Sequence, residues 1–142
     1  MSAFGKKGDA PRIRQVLLNL LPKDAEVEEK VLEPETEGEV FTHELVELKA
    51  KLTKPSEVKE FSSKVISGLD EYDREKITSG IGRYVDDGCN FYLRLSKSEA
   101  EAGNIVLESK DCIHIAFKVA AYPAKKENAV EAVRELFSDE KR

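Results

Sequence analysis

The sequence predicts an α+β fold, an antiparallel sheet with helices packed on one face. Three observations carry that expectation. Segments around Val46, Phe91 and Ile113 alternate apolar and polar residues with a period of two, so each offers one face to a core and one to solvent. Segments opening near Pro11, Pro55 and Lys126 space their apolar residues three and four apart, the pattern of amphipathic helices. Connections are short and there is no strict strand–helix–strand alternation, which disfavours an all-parallel sheet.

Each element has its own local signal. Pro11 suits the first turn of a helix over Arg12 to Leu21, which gathers Val16, Leu17, Leu20 and Leu21 and stops at Pro22. Glu26 to Glu33 alternates weakly and reads as a poorly specified strand, followed by an acidic loop from Pro34 to Glu39. Val40 to Thr53 reads as one long strand, with Val46, Leu48, Ala50 and Leu52 on one face and Glu47, Lys49 and Lys51 on the other. Pro55 opens a helix carrying Val58, Phe61, Val65, Ile66 and Leu69, with Gly68 at its end. Asp70 caps a second helix carrying Tyr72, Ile77, Ile81, Tyr84 and Val85, weakened at Gly80 and Gly82 by roughly 1 kcal/mol each relative to alanine.

The turn Asp86-Asp87-Gly88 leads into a strand from Cys89 to Ser96, with Phe91, Leu93 and Leu95 opposite Tyr92, Arg94 and Ser96. Lys97 to Ala102 forms one helical turn ended by Gly103. Asn104 to Glu108 and Cys112 to Tyr122 then read as two strands, the second with Ile113, Ile115, Phe117 and Val119 opposite His114, Ala116 and Lys118. Pro123 ends it, and a last helix aligns Ala129, Val130, Val133, Leu136 and Phe137.

With 142 residues, 40% of them hydrophobic, the chain can bury one core and reads as a single domain over residues 1–142. No apolar run approaches the roughly 18 residues of a membrane span, and the N-terminus has no signal-peptide core, so a soluble cytoplasmic protein is expected. Cys89 and Cys112 lack any metal-ligand spacing and read as packing residues. The net charge of −5 is unevenly spread: Asp24 to Glu47 holds ten carboxylates and one lysine, a balance of −9, so the remainder carries +4. A segregated basic surface can attract nucleic acid despite an acidic total, because the field is read within about a Debye length, ~8 to 10 Å.

If the three strongest strands share a sheet whose apolar faces meet the helices, the opposite faces collect Lys49, Lys51, Tyr92, Arg94, His114 and Lys118. Cations to neutralise phosphates and flat groups on which bases stack are what RNA recognition requires. Lys97, and Lys125 with Lys126 at the start of the last helix, extend the set, and a phosphate at that helix N-terminus is favoured by lysines and dipole together. The same residues equally suit a solvated strand face or a protein interface. His114 and His43 read as structural. No phosphate-binding loop, dinucleotide fingerprint, zinc-protease or serine-hydrolase motif is present, so no catalytic residue, metal or cofactor is assigned. An acidic segment from residue 24 to 47 that docks a basic protein partner is the rival reading, and an enzyme acting on RNA or a nucleotide is a third.

The block from Arg83 to Lys97, with its Asp-Asp-Gly turn leading into Asn90-Phe-Tyr-Leu-Arg94, resembles a family of small archaeal RNA-binding proteins also described as predicted exosome subunits. Ala121 to Phe137 resembles the family's closing strand, proline turn and last helix, and Asn19-Leu-Leu-Pro22 fits its first-helix ending. The resemblance implies an antiparallel sheet with helices on one side, related to the ribosomal protein that binds 5S RNA. It also implies RNA and an RNA-processing complex as partners, with Asn90, Tyr92, Arg94, Lys97, Lys125 and Lys126 at the motif positions. Two departures stand out. Relatives begin with a fuller strand where only Ser2 to Phe4 is available here, so that edge strand is expected to be short or lost. Where many relatives carry a glycine- and histidine-rich loop, this chain has Glu33 to Glu39, which repels phosphate.

Overall fold

The structure, a computed structural model, describes residues 1–23, 25–32 and 45–140. Among these described residues five strands and five α-helices follow in the order β1 (Ser2–Lys6), α1 (Ala10–Leu20), β2 (Glu28–Leu32), β3 (Leu45–Lys49), α2 (Pro55–Gly68), α3 (Glu71–Thr78), β4 (Asn90–Ser96), α4 (Lys97–Glu101), β5 (Cys112–Lys118) and α5 (Lys126–Glu140). The sheet runs β2-β3-β1-β5-β4 and every pairing is antiparallel. Directly opposed residues share a face, so the registers put Ala3, Val46, Leu48, Phe91, Leu93, Leu95, Ile113 and Ile115 on one side of the sheet. All eight are buried, in one apolar cluster with Leu17 and Leu20 of α1, Phe61, Val65 and Ile66 of α2, Ile77 of α3, and Val133 and Phe137 of α5. Among the described residues no helix covers the opposite face, and the antiparallel, one-sided architecture expected from periodicity is what forms.

The N-terminal strand corrects the sequence expectation. It is not lost, and it is not an edge: β1 pairs with β3 over five residues and lies at the centre of the sheet. Gly5 is what lets α1 fold back so closely over this strand, since a Cβ there would sit 2.3 Å from the Ile13 Cδ1 atom. On its other side β1 pairs with β5 in the ladder only at Ser2 and His114. Met1 and Ala50 exchange hydrogen bonds, so by alternation Phe4 directs its carbonyl away from β3 and into the gap beside β5. Lys97 fills that gap. Its ammonium donates to the Phe4 carbonyl and, at 2.8 Å, to Asp111, and the side chain is only 14% exposed.

Other boundaries shift for identifiable reasons. The second helix ends at Thr78, because Gly80 leaves helical geometry (φ −144°, ψ 41°), and a 3-10 turn at Ile81–Arg83 replaces its last part. Ile81 and Val85 still reach the core, whereas Tyr72 is 76% exposed. Asp70 does cap this helix, accepting from the Asp73 amide at 2.8 Å. Asn104 to Glu108 is not a strand. Its only ladder contact is a bridge from Leu107 to Leu95, and the buried Asp73 carboxylate takes the Leu107 amide at 3.1 Å. β5 stops at Lys118, after which Val119 donates to the Cys89 carbonyl where β4 begins. β3 stops at Lys49, and residues 40–44 of the long strand expected there lie outside the described residues, as do the Pro34 to Glu39 loop and His43. Ser96, placed on the outward face by alternation, is buried and caps α4 through the Glu99 amide.

Candidate nucleic-acid interface

The open face is organised by the strand registers. Glu28, Lys49, Ser2, His114 and Arg94 are opposed in turn across β2, β3, β1, β5 and β4, forming one row over the whole sheet. At about 4.8 Å per strand, Lys49 and Arg94 stand roughly 14 Å apart. A second row runs Lys30, Glu47 and Phe4. Beyond the first row Tyr92 is opposed to Ala116, and Asn90 to Lys118. Charge is therefore graded: the β2 end mixes lysine with glutamate, while the β5–β4 end carries Arg94, Lys118 and the half-buried His114 with no carboxylate opposed to them.

Beside Met1, between β3 and β5, lies a groove of about 510 Å3 whose polar lining includes Lys49, Lys51, Asn90 and Lys118. Three ammonium groups around one groove form a local positive field. Lys118 also donates to the Gly88 carbonyl, which ties the groove wall to the β4 turn.

Two aromatic rings lie open on the face, Tyr92 at 45% and Phe4 at 43% exposure. Phe4 meets His114 edge-on, with ring centroids 6.2 Å apart and planes at 79°. Sequence reading missed Phe4 because β1 was expected to be short or lost. The signal was there in the alternation of Ser2 and Phe4 against Ala3 and Gly5, with Ala3 fully buried.

The Asp-Asp-Gly-Cys-Asn-Phe-Tyr segment is a clasp around Asp86. This carboxylate accepts from the Gly88 amide at 3.0 Å, the Asn90 amide at 2.9 Å, the Asn90 side chain at 3.2 Å and the Tyr92 hydroxyl at 2.8 Å. Asn90 therefore spends its side chain holding the turn, and Tyr92 is anchored by its hydroxyl while its ring stays available. Cys89 completes the turn with a positive φ of 62°. The backbone hydrogen bond from Asn90, then the Tyr92 hydroxyl, hold the Asp86 carboxyl down at about 2 instead of 3.8, and the same contact raises the Tyr92 phenol.

That depression sets a pH dependence. A carboxyl whose folded pKa lies below its unfolded value contributes stability fully present above about 3.8 and lost as pH falls toward 2. The melting temperature of the wild type is expected to drop between pH 4 and 2 more steeply than that of Asp86→Asn. Parallel acid limbs in the two melting series would refute the clasp.

The remaining expected residues are set apart from this face. Lys97 is turned into the β1–β5 gap, with its ammonium engaged by Phe4 and Asp111. Lys126 opens α5, Lys125 immediately precedes it, and α5 belongs to the helical layer, packed on α2 and α3. Cys89 and Cys112 are buried and unbridged. Two cations escaped sequence reading, Lys76 and Arg83, which line a second hollow beside Tyr92 and Arg94.

A one-sided antiparallel sheet whose bare face bears arginine, lysines and two exposed rings defines an α+β protein built around an open polar-aromatic platform. The chain belongs to the RNA-binding family: the family model described as RNA binding matches residues 6–119. It is 32% identical over 136 residues to the RNA-binding protein PAB1135 of Pyrococcus abyssi, covering 93% of this chain and 86% of that protein. Protein AF2318 of Archaeglobus fulgidus has the same fold at a TM-score of 0.80 and 26% identity, over 95% of this chain and 94% of its own. Mth689 of Methanothermobacter thermautotrophicus, a DUF54 protein, superposes at 0.71 and 26% identity over 96% and 93%. Among the described residues no helix is long and apolar enough to cross a membrane.

Proposed function

We propose that this protein binds RNA on the open face of its sheet, without catalysing a reaction on it, and that it does so in the cytoplasm as part of RNA processing, degradation or ribosome function. The observation that carries the reading is the sheet face itself, where Lys49, Arg94, Lys118 and the exposed ring of Tyr92 gather with Lys51 at the groove, and the exposed ring of Phe4 lies across the central row beside Glu47. The cations neutralise phosphates, and the rings offer stacking to bases. Asn90 and Lys97 act by positioning, the first through the Asp86 clasp and the second by closing the sheet. Lys125 and Lys126 extend the contact for an RNA that continues past Lys118. Membership of a family described as RNA binding, and the name of the Pyrococcus relative, support the same reading.

The test is binding of purified protein to mixed cellular RNA across a salt series. Affinity is expected to fall with log salt at a slope of about 0.7 per phosphate neutralised on single strands. Phe4→Ala is expected to weaken binding by about 1 to 3 kcal/mol, the value of one stacked base, while leaving that slope unchanged. Salt-insensitive binding, or none at low salt, would sink the reading.

A further inference from the structure

We infer that the uncovered stretch of the β4 edge is a pocket for one unpaired RNA base, an inference that rests on the RNA-binding reading and specifies its ligand as single-stranded. β4 is the last strand of the sheet, and its outer edge is bridged at two places. At one end Asp86 donates to the Asn90 carbonyl and Tyr92 to the Tyr84 carbonyl; at the other Glu108 donates to the Arg94 carbonyl and Ser96 to the Val106 carbonyl. The backbone groups of Asn90, Tyr92, Arg94 and Ser96 thus point outward, away from β5. Between the bridges the Tyr92 carbonyl and the Arg94 amide are left side by side, and neither has a partner among the described residues.

One acceptor beside one donor is too short an edge for a peptide strand to pair with. It matches the edge of a nucleobase, such as the adenine amino group beside N7. The surroundings fit the rest of a nucleotide. This edge opens into a hollow of about 460 Å3 walled by Tyr84 and Tyr92, with Lys76, Arg83 and Arg94 around it and Ser109 opposite. Glu108, the one carboxylate in that lining among the described residues, accepts the backbone amides of Ser109 and Lys110. Tyr92 and Arg94 also line the concavity over Lys49 and His114, so a strand lying on the face can pass a base into this hollow without leaving its phosphate contacts. In an A-form duplex the same edge lies at the bottom of a deep, narrow major groove that the β4 edge cannot enter.

The experiment uses the full chain and an oligoadenylate of about eight nucleotides, within the ~4 to 16 that single-strand sites occupy. It is offered single-stranded, annealed to its complement, and with its central bases removed. Duplex and abasic forms are expected to bind at least about 10-fold more weakly than the intact strand. Ser109→Trp, which fills the hollow away from the sheet face, is expected to weaken the intact strand by a similar factor and leave the abasic one unchanged, with its melting curve checked against wild type. Equal, salt-sensitive binding of all three forms by the wild type overturns the pocket while leaving RNA binding standing, and that comparison holds even if the variant fails to fold. Competition by adenosine monophosphate as effective as that of the oligomer would also overturn it, in favour of a free-nucleotide site. No salt-sensitive binding of any form removes the RNA reading and the pocket with it.

Discussion

Arg94→Glu combined with Lys51→Glu is expected to lower RNA affinity by at least about 100-fold at low salt and to flatten the salt slope by about 1.4, two single-strand phosphate contacts at roughly 0.7 each. Charged hydrogen bonds contribute about 1.5 to 3 kcal/mol apiece, and reversal adds repulsion to their loss, which is why the effect exceeds that of removing one stacking ring. Arg94 is exposed at the end of the central row and borders both the concavity over Lys49 and the hollow at the β4 edge. Lys51 is exposed in the groove beyond Met1, whereas Lys49 stands opposite Glu28 and has part of its field cancelled. The control has to come from the other layer. Lys30, the one lysine of the acidic segment from Asp24 to Glu47, lies on the same face opposite Glu47, so its reversal would also alter the field there. Lys59, exposed on α2, is the proper comparison, and its reversal to Glu is expected to change affinity less than about 3-fold. Equal losses from the two variants, measured on the same RNA and salt series, would show that the contact is not localised to the sheet.

How much of this was legible depended on the range of the interaction that decides each feature. Period-two alternation in β4 and β5 and the helical spacing in α1, α2 and α5 are local, and they place Phe91, Ile113 and Phe61 in the core just as expected. β1 is different: five residues that include a glycine have little intrinsic strand preference, and the strand exists because β3 pairs along one side and α1 closes over Gly5. The same holds for the site. The outward set of Lys49, Tyr92, Arg94, His114 and Lys118 follows from alternation, but which of them stand in one row follows only from registers between strands far apart in sequence. Family-motif reading could not separate contact from support. Asn90 and Lys97 belong to the most characteristic segment of the chain, and the structure engages both side chains with other parts of the protein. Tyr92 does both, with its hydroxyl committed to Asp86 and its ring exposed.

Phe91→Ala is expected to cost about 3 to 5 kcal/mol, the range for emptying a buried aromatic site. Phe91 is 1% exposed and stands between two rings, stacked on Phe117 of β5 at 6.0 Å and edge-on to Phe137 of α5 at 6.1 Å. Phe61 of α2 closes on the far side of Phe117 at 5.7 Å. One side chain therefore joins the sheet to the last helix, and a cavity there cannot collapse without moving one of them. Natural proteins of this kind hold about 5 to 15 kcal/mol in total, so the variant should melt far below the wild type. The functional consequence follows from position in the chain. Phe91 lies between Asn90 and Tyr92, and its core contacts hold down the strand that presents Tyr92 and Arg94 to RNA. Loss of binding should therefore track the folded fraction and recover on cooling below the melting transition, unlike the loss from Arg94→Glu with Lys51→Glu, which persists in a fully folded protein. A Phe91→Ala protein that melts like wild type would mean that the ring cluster around Phe91 does not hold sheet and helix together. One that stays folded but no longer binds at any temperature would mean that Phe91 shapes the face directly.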